Sequence, residues 1–513
     1  MSNVLILFLL FVVQQAWSVT VITPKGQIAG QKASDGNYTT FFGVPYARVD
    51  ESNPFKDTLD YPNFGTPFNA TDPFIKCPQV IITEGGILQC LRLNIYVPGD
   101  VNNKNNLPIF VWFHGGGLAF GSAGEYNAKH LVQERIIVVT ANYRLGPYGF
   151  LCTSDIKNQG LKDQKTALKW IKKNIQSFGG DPNRVTIGGE SWGGSTVDFL
   201  LYAEADFSQA IMQSGSRYSF GVSTRQDNEA PIKLAGRLGY NTTKNKDAVK
   251  YLNTANPIEV MRMTRELGYV FGVCEKHGDF HLKKKYMDMI KNIPILVGYN
   301  SKETFADFVL QPSSFYANLR NELLHNLKKI FDLSKDVLIN LADIIWKFYL
   351  GEKTISKDSM LEIMDLSSDL RVNYGVERSV TNYLKSENPK IYKYIFSYTG
   401  GSPYKNVSGV GAYHTEELPY LFDWGIPLKT EEQFNVRQRM VKMWANFVKY
   451  GDPTPAKGET SWLPTNLATR PYLNIDVTSE MRTHVYHQRM AFWELIWAAY
   501  GRHRNCRKLN VST

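Results

Sequence analysis

Residues 189–193, with the sequence Gly-Glu-Ser-Trp-Gly, constrain the fold of this 513-residue chain more than any other stretch. Residues 184–188 before it, Arg-Val-Thr-Ile-Gly, form a short, mostly apolar run that predicts a buried strand, and residues 194–201 have the pattern of a helix start. A serine at a sharp strand-to-helix turn holds its hydroxyl clear of the backbone only if the residues two positions before and after it lack side chains. The helix then aims its first N–H groups, the positive end of its dipole, at an anion forming beside the serine. The stretch therefore predicts that Ser191 is a nucleophile.

Length and charge narrow the class of protein. The chain is long enough for a large core, and it has no internal repeat, low-complexity linker or block of like charges. Its net charge of +10 is spread along the sequence, with residues 283–285 as the main basic run. A solvated basic face explains this pattern better than a nucleic-acid-binding surface does. We therefore expect residues 19–513 to form one globular domain that does not bind nucleic acid.

The first 18 residues have the features of a secretory signal peptide. Residues 4–13 are all apolar, and Ala16-Trp17-Ser18 then fits the small-x-small cleavage rule. The run is too short to predict a membrane span, and no apolar tail follows at the C-terminus. We expect cleavage after Ser18 and a secreted mature chain. Export agrees with the Asn-x-Ser/Thr sequons, which are candidate N-glycosylation sites: Asn37, Asn69, Asn241, Asn406 and Asn510.

Segments typical of strands and helices alternate through most of the chain. Residues 19–30 predict an opening strand, and residues 41–47, with a Gly and a Pro, predict a turn. Further strands are predicted at residues 91–97, 107–113, 136–140, 184–188, 209–215, 293–299 and 391–398. The alternation indicates a mostly parallel sheet with helices on both faces. A helical insertion over residues 313–384 is expected to cover the carboxyl edge of the sheet, where such folds bind ligands.

A serine nucleophile needs a base, and the base needs an acid that orients it. In α/β-hydrolases the three residues follow the chain order Ser, acid, His. That order leaves these histidines as candidates: His325, His414, His484, His487 and His503. We select His414 because it lies in a glycine-flanked loop just after a predicted strand. Glu303 is the predicted acid because it follows the strand at residues 293–299, where a carboxylate can reach a histidine.

A second glycine-rich stretch predicts an anion-binding site. Residues 114–117, His-Gly-Gly-Gly, follow a predicted strand and supply backbone N–H groups without side-chain obstruction. We expect the N–H groups of Gly116, Gly117 and Trp192 to form an oxyanion hole. A phosphate-binding loop is the rival interpretation, but no Gly-Lys-Ser/Thr follows and no Gly-x-Gly-x-x-Gly is completed. The predicted chemistry requires no metal and no cofactor.

Together these motifs resemble the type-B carboxylesterase/cholinesterase family over most of the mature chain. The stretches that carry the resemblance are residues 42–47, 77–79, 90–94, 114–117, 142–146, 163–164, 178–182, 189–193 and 213–216, Glu303, His414, and residues 446–447 and 451–453. The resemblance implies an α/β-hydrolase fold, a deep gorge above the serine and a Ser-Glu-His triad. It also implies a disulfide between Cys77 and Cys90 and a salt bridge between Arg144 and Asp163.

Departures from the family pattern concern the turn and the cysteines. Trp192 replaces the family's alanine after the nucleophile. Because only its backbone N–H is needed, we expect its indole to turn away and narrow one side of the acyl pocket. The chain has five cysteines, of which Cys152 and Cys274 are expected to be reduced and at least partly buried. Cys506, in a basic tail, is a candidate for an interchain disulfide in a homodimer, as in some family members.

The function predicted is that of a secreted serine carboxylic-ester hydrolase acting on a small-molecule ester. Ser191 would attack the ester carbonyl and carry the acyl group, His414 would move the proton, and Glu303 would orient His414. The alternative is a non-catalytic adhesion or ligand-binding protein of the same fold, which the unusual Trp192 keeps open. A cholinesterase is disfavoured, because the choline-binding tryptophan expected between the first two cysteines is missing.

Overall fold

The computed structural model describes residues 18–203, 206–275, 284–456 and 461–501. Residues 1–17 of the predicted signal peptide lie outside these ranges, as do His503, Cys506 and Asn510, and what is expected of them stays a prediction. Within the described ranges, no helix is both long enough and apolar enough to cross a membrane.

One large sheet runs through the molecule, and the described residues contribute 13 strands to it. The strands are β1 (Ser18–Thr23), β2 (Gly26–Lys32), β3 (Tyr38–Pro45), β4 (Phe68–Asn69), β5 (Arg92–Pro98), β6 (Leu107–Phe113), β7 (Ile137–Ala141), β8 (Gly180–Glu190), β9 (Gln209–Gln213), β10 (Ser223–Thr224), β11 (Val273–Cys274), β12 (Ile295–Asn300), β13 (Ile391–Phe396), β14 (Pro471–Ile475) and β15 (Glu480–Thr483). Their order in the sheet is β1-β2-β3-β5-β7-β6-β8-β9-β12-β13-β14-β15, with β4 beside β2, while β10 and β11 form a separate pair. Neighbours from β7 to β14 are parallel. This arrangement confirms the predicted α/β-hydrolase fold class.

The central strands are apolar because helices cover both faces of the sheet. Every residue of β6, with the sequence Leu-Pro-Ile-Phe-Val-Trp-Phe, is buried, and so is every residue of β13. Strands buried on both sides show continuous rather than alternating hydrophobicity. The exception in β13 is Lys393, whose ammonium group is paired with the carboxylate of Glu377. Burial without such a partner would be strongly unfavourable for a charged group.

Helices surround the sheet, and several of them form the insertion predicted before β13. The α-helices are α1 (Lys129–Gln133), α2 (Gly146–Phe150), α3 (Gln159–Asn174), α4 (Trp192–Leu200), α5 (Ala230–Arg237), α6 (Asn245–Leu252), α7 (Pro257–Glu266), α8 (Lys284–Ile290), α9 (Phe305–Phe308), α10 (Ser313–Tyr316), α11 (Leu319–Ile330), α12 (Lys335–Leu350), α13 (Met360–Ser368), α14 (Tyr374–Lys385), α15 (Glu431–Tyr450) and α16 (His487–Tyr500). Helices α10 to α14 make up the insertion. Ser334 caps α12 by accepting a hydrogen bond from the N–H of Val337.

Two N-terminal predictions need correction. Residues 19–30 form a hairpin rather than one strand, because Thr23 pairs with Gly26 at a tight turn between β1 and β2. Residues 41–45 belong to β3 rather than to a turn. Gly43 has a φ of 72°, and the pairing of β3 with β5 shifts register around it. A glycine in this conformation bends the strand without ending it.

The ion pair between Arg144 and Asp163 that the family resemblance implies is present and buried. The Nε and Nη2 atoms of Arg144 donate to the two carboxylate oxygens of Asp163 at 2.8 and 2.7 Å, and both side chains are buried. Nη1 of Arg144 donates to the carbonyl oxygens of Pro54 and Lys56. These contacts offset the desolvation of the guanidinium and fasten the loop after β7 to α3.

The cysteines differ from the prediction in one pair. Cys77 and Cys90 form the disulfide that the resemblance implies. The expectation that Cys152 and Cys274 are reduced is wrong, because the structure joins them, with their Cα atoms 5.3 Å apart. They are 122 residues apart in sequence. Pairing of β10 with β11 holds Cys274 in place, and the Asn158 side chain donates to the Cys274 carbonyl oxygen and accepts from its N–H.

We expect at most one free thiol per chain when the protein is unfolded without reductant, because the two disulfides occupy four of the five cysteines. Thiol titration in guanidinium measures this number, and a fully reduced sample is the control. Three thiols in the unreduced chain would contradict the bond between Cys152 and Cys274.

Candidate active site

The predicted nucleophile lies at the turn between β8 and α4. Ser191 has a φ of 55°, a strained conformation for a residue with a side chain, costing about 1–3 kcal/mol. The Ser191 N–H donates to the carbonyl oxygen of Gln213 at 2.8 Å, and this hydrogen bond helps to stabilise the strained conformation. A Cβ at Gly193 would lie 2.3 Å from the carbonyl oxygen of Phe113, so only glycine allows α4 to start so close to the end of β6.

The structure brings Ser191, His414 and Glu303 together. The Nε2 atom of His414 is 2.9 Å from Oγ of Ser191, and its Nδ1 atom is 2.6 Å from Oε2 of Glu303. Glu303 follows β12 and is buried, whereas the His414 side chain, in the loop after β13, is 35% exposed and therefore accessible to a substrate. The remaining candidate histidines that the structure describes form no hydrogen bond with Ser191: His325, His484 and His487.

Hydrogen bonds around Glu303 fix its position relative to His414. The N–H of Asn300 donates to Oε1 of Glu303 at 2.7 Å, and the N–H of His414 donates to the Glu303 carbonyl oxygen at 2.9 Å. The Asn300 side chain donates to the carbonyl oxygen of Tyr413 at 2.7 Å and to Oε2 of Glu417 at 2.6 Å. The end of β12 and the His414 loop are thus locked to each other, which limits the orientations available to the ring.

Two further carboxylates near His414 were not predicted from the sequence. Oε1 of Glu190, the residue before the serine, lies 3.1 Å from Nε2 of His414. Glu417, three residues after His414, is buried and accepts a hydrogen bond from Nε2 of Gln213 at 3.0 Å. Glu190 was visible in the Gly-Glu-Ser-Trp-Gly motif, but its direction depends on tertiary packing. A Cβ at Gly115 would lie 2.6 Å from Oε2 of Glu190, so glycine makes room for this carboxylate.

These charges control the protonation of His414. Partial burial lowers the pKa of His414, but the negative charges of Glu190 and Glu303 outweigh this effect and raise the pKa to about 10. Burial raises the pKa of Glu190 to about 8. Because the two side chains are 3.1 Å apart, they titrate as a coupled pair.

The glycine loop after β6 lies against the serine. A Cβ at Gly115 would be 3.1 Å from Cβ of Ser191. Gly116 and Gly117 have φ angles of 97° and 59°, and no hydrogen bond among the described residues uses the N–H of either. Trp192 is the first residue of α4, where an N–H group has no acceptor within the helix. The loop that carries Gly116 and Gly117 therefore begins against Ser191 at Gly115, and Trp192 follows the serine directly.

The Trp192 side chain is half-buried and packs against the main hydrophobic core. A Cβ at Gly221 would lie 3.3 Å from Cζ2 of the indole, so the ring rests against the Gly221 backbone. This position agrees with an indole packed beside the turn. Its effect on the acyl pocket stays a prediction.

The arrangement has the chemical parts needed for acyl transfer: a hydroxyl, an imidazole oriented by a carboxylate, and free N–H groups. Among the residues with described positions, no group of three or more His, Cys, Asp or Glu side chains is placed to hold a metal ion.

Comparison with known proteins identifies the family. The model of the carboxylesterase family matches residues 18–493. A "fatty acyl-CoA hydrolase precursor, medium chain" from Anas platyrhynchos is 28% identical over 524 residues, which cover 94% of this chain and 92% of that protein. Esterase E4 of Myzus persicae is 30% identical over 501 residues, 86% of this chain and 89% of its own. Carboxylesterase 1E of Rattus norvegicus is 28% identical over 542 residues, covering 93% and 94%. The chain belongs to the carboxylesterase family and is a carboxylic ester hydrolase of the α/β-hydrolase fold.

Proposed function

We propose that this hydrolase works through an acyl-enzyme on Ser191, with His414 as the base and Glu303 as its orienting acid. The observation that carries the proposal is the continuous chain of contacts from Oγ of Ser191 to Nε2 of His414 at 2.9 Å and from Nδ1 to Glu303 at 2.6 Å. This geometry meets the hydrogen-bonding requirement for a nucleophile and a general base.

The reaction proceeds in two halves. Oγ of Ser191 bonds to the ester carbonyl carbon while its proton passes to Nε2 of His414, and the N–H groups of Gly116, Gly117 and Trp192 bind the oxyanion. The bond to the alcohol oxygen then breaks, and His414 returns the proton to the leaving alcohol. Water attacks the acyl-enzyme in the same way, the acid is released, and Ser191 regains its proton.

The substrate that we propose is a small-molecule carboxylic ester. Relatives named for esterase and fatty acyl-CoA hydrolase activity support this class. The non-catalytic alternative requires a site that is damaged or blocked. The contacts among Ser191, His414 and Glu303 count against damage, and the Trp192 indole resting on Gly221 counts against a blocked serine.

We also propose that the chain is cleaved after Ser18, secreted and N-glycosylated, and that Cys506 can link a homodimer. The family match begins at residue 18, next to the predicted cleavage site. The sequon asparagines that the structure describes are exposed: Asn37, Asn69, Asn241 and Asn406. N-terminal sequencing, glycosidase treatment and a non-reducing gel of protein from culture medium test these points, and a gel with monomer alone would contradict the disulfide-linked dimer.

Ser191→Ala should lower kcat for p-nitrophenyl esters by more than about 10⁴-fold, because the nucleophile is lost while the rest of the site remains. The matched control is Ser208→Ala, which removes a serine hydroxyl bonded to the carbonyl oxygen of Val185 beside the same sheet; its rate should equal that of wild type. A fluorophosphonate should add covalently to wild type and not to Ser191→Ala. Wild-type turnover that survives in Ser191→Ala would exclude the proposed mechanism.

Glu190→Gln should move the acid limb of the kcat/KM–pH profile to lower pH, by on the order of one unit. The carboxylate of Glu190 raises the pKa of His414. Removing that charge lowers the pKa, so the neutral base persists to lower pH. The measurement is kcat/KM from pH 4 to 10, which reports on groups of the free enzyme. An unchanged acid limb, with the fold intact by circular dichroism, would show that Glu190 does not tune the base.

Trp192→Ala should increase kcat/KM for bulky acyl esters by about tenfold, the scale of one or two methylenes in a pocket. The variant keeps the backbone N–H and removes the indole that narrows the pocket. A panel of p-nitrophenyl esters with increasing acyl length measures the effect, and wild type should prefer short chains. Equal rates for short and long acyl groups in both proteins would contradict it. Activity that appears only in the variant would favour the non-catalytic alternative.

A further inference from the structure

The buried side chain of Gln79 joins the Cys77–Cys90 loop to the glycine loop of the active site. Its Oε1 accepts a hydrogen bond from the N–H of Gly121 at 3.0 Å, and its Nε2 donates to the Gly121 carbonyl oxygen at 3.1 Å. Nε2 also donates to the carbonyl oxygen of Cys77 at 3.2 Å. The Gln79 amide therefore binds both backbone polar groups of Gly121. Only 2% of the Gln79 surface is exposed.

Gly121 closes the loop that carries the predicted oxyanion donors. A Cβ at Gly121 would lie 2.6 Å from Nδ1 of His114 and 3.0 Å from the carbonyl oxygen of Gly115, so these residues are in direct contact. At the other side of the loop, the carbonyl oxygen of Gly116 accepts hydrogen bonds from the N–H groups of Ala119 and Phe120. We therefore expect a displacement of Gly121 to move the peptides beside Gly116.

His114, the first residue of the glycine loop, lies against Gly121 and is itself held in a fixed position. Burial lowers the pKa of His114 to about 4, so its ring is neutral at physiological pH. Its Nδ1 is 2.8 Å from the carbonyl oxygen of Gly115, and Tyr143 donates from its hydroxyl to the His114 carbonyl oxygen at 2.6 Å. The start of the glycine loop is thus fastened to the loop after β7, and its end is fastened by Gln79.

Gln79 is itself anchored from outside the site. Its N–H donates to the carbonyl oxygen of Gly85 at 2.9 Å, and its carbonyl oxygen accepts from the Gly85 N–H at 3.0 Å. The disulfide between Cys77 and Cys90 closes the same segment. Since the backbone of Gln79 is held on both sides, its amide acts as a fixed support for Gly121.

We propose that Gln79 is a positioning residue for the oxyanion hole: through Gly121 it sets the direction of the Gly116 and Gly117 N–H groups. The inference rests on the proposed function, since it assigns those groups to the oxyanion. It gives the Cys77–Cys90 loop a part in catalysis without contact with the substrate. Misplacing a catalytic group by about 1 Å can cost on the order of 100-fold in rate.

The test compares two glutamines of the same disulfide loop. Gln79→Met removes the clamp on Gly121 with little change in volume. Gln89→Met is the matched control, because the Gln89 amide clamps Val49 in the same way, accepting from its N–H at 3.2 Å and donating to its carbonyl oxygen at 2.8 Å. Gln79→Asn is the second variant: it keeps a polar amide, but its side chain is one methylene shorter and cannot bind both polar groups of Gly121.

We expect both Gln79 variants to lose about 10- to 100-fold in kcat, with KM within about threefold of wild type. Affinity for a trifluoromethyl ketone, which adds to a serine and places an oxyanion in the hole, should fall by a similar factor. Gln89→Met should keep the wild-type kcat and inhibitor affinity, although its melting temperature falls. This split between kcat and KM distinguishes positioning from a general loss of stability.

Wild-type kcat in a folded Gln79 variant, or an equal loss in Gln89→Met, would overturn the inference. If Gln79→Met does not fold, Gln79→Asn decides the question by the same measurements. The Ser191→Ala result distinguishes failure of the proposed function from failure of the positioning role of Gln79. Activity that survives in Ser191→Ala overturns the proposed function, whereas an inactive Ser191→Ala with fully active Gln79 variants overturns the positioning role alone.

Discussion

Backbone packed directly on backbone is the constraint on which the site depends. A Cβ at Gly189 would lie 2.6 Å from the carbonyl oxygen of Phe113, and one at Gly215 would lie 1.9 Å from that of Ser191. Because these positions are glycine, the ends of β6, β8 and β9 converge around a single serine. The same convergence brings the start of α4 and the glycine loop next to the hydroxyl. The position of the predicted nucleophile and that of its predicted anion donors therefore have one physical cause.

Electrostatics is the second constraint, because the carboxylates around His414 are buried. A buried carboxylate is costly unless it is hydrogen-bonded or protonated. Glu303 and Glu417 are hydrogen-bonded, the former to the N–H of Asn300 and the latter to the Asn300 and Gln213 side chains. Burial raises the pKa of Glu417 despite these bonds, and it raises the pKa of Glu190 to about 8. The basicity of the His414 imidazole is thus set largely by the neighbouring carboxylates of Glu190 and Glu303.

Outside the sheet, polar clamps replace ladder hydrogen bonds. Loops have no neighbouring strand to satisfy their backbone groups, so side chains and disulfides must do so. Gln79 and Gln89 each bind both polar groups of one residue in another segment, and Arg144 binds two carbonyl oxygens together with Asp163. A disulfide adds a covalent link between Cys152 and Cys274, far apart in the chain. The loops around the site consequently have defined positions relative to the strands that carry it.

The sequence by itself determined the fold class and the three residues that the structure brings together, Ser191, Glu303 and His414. It could do so because Ser191 and Glu303 come just after predicted strands and His414 lies in the loop after a third, and the carboxyl ends of parallel strands meet at one edge. Only the tertiary structure decided that Glu190 lies 3.1 Å from His414, that Cys152 pairs with Cys274, and that Gln79 supports the glycine loop. Those contacts depend on side-chain direction and on loops that meet across long sequence separations. Local patterns report burial and turn geometry, and they contain no record of which distant segment a loop will touch.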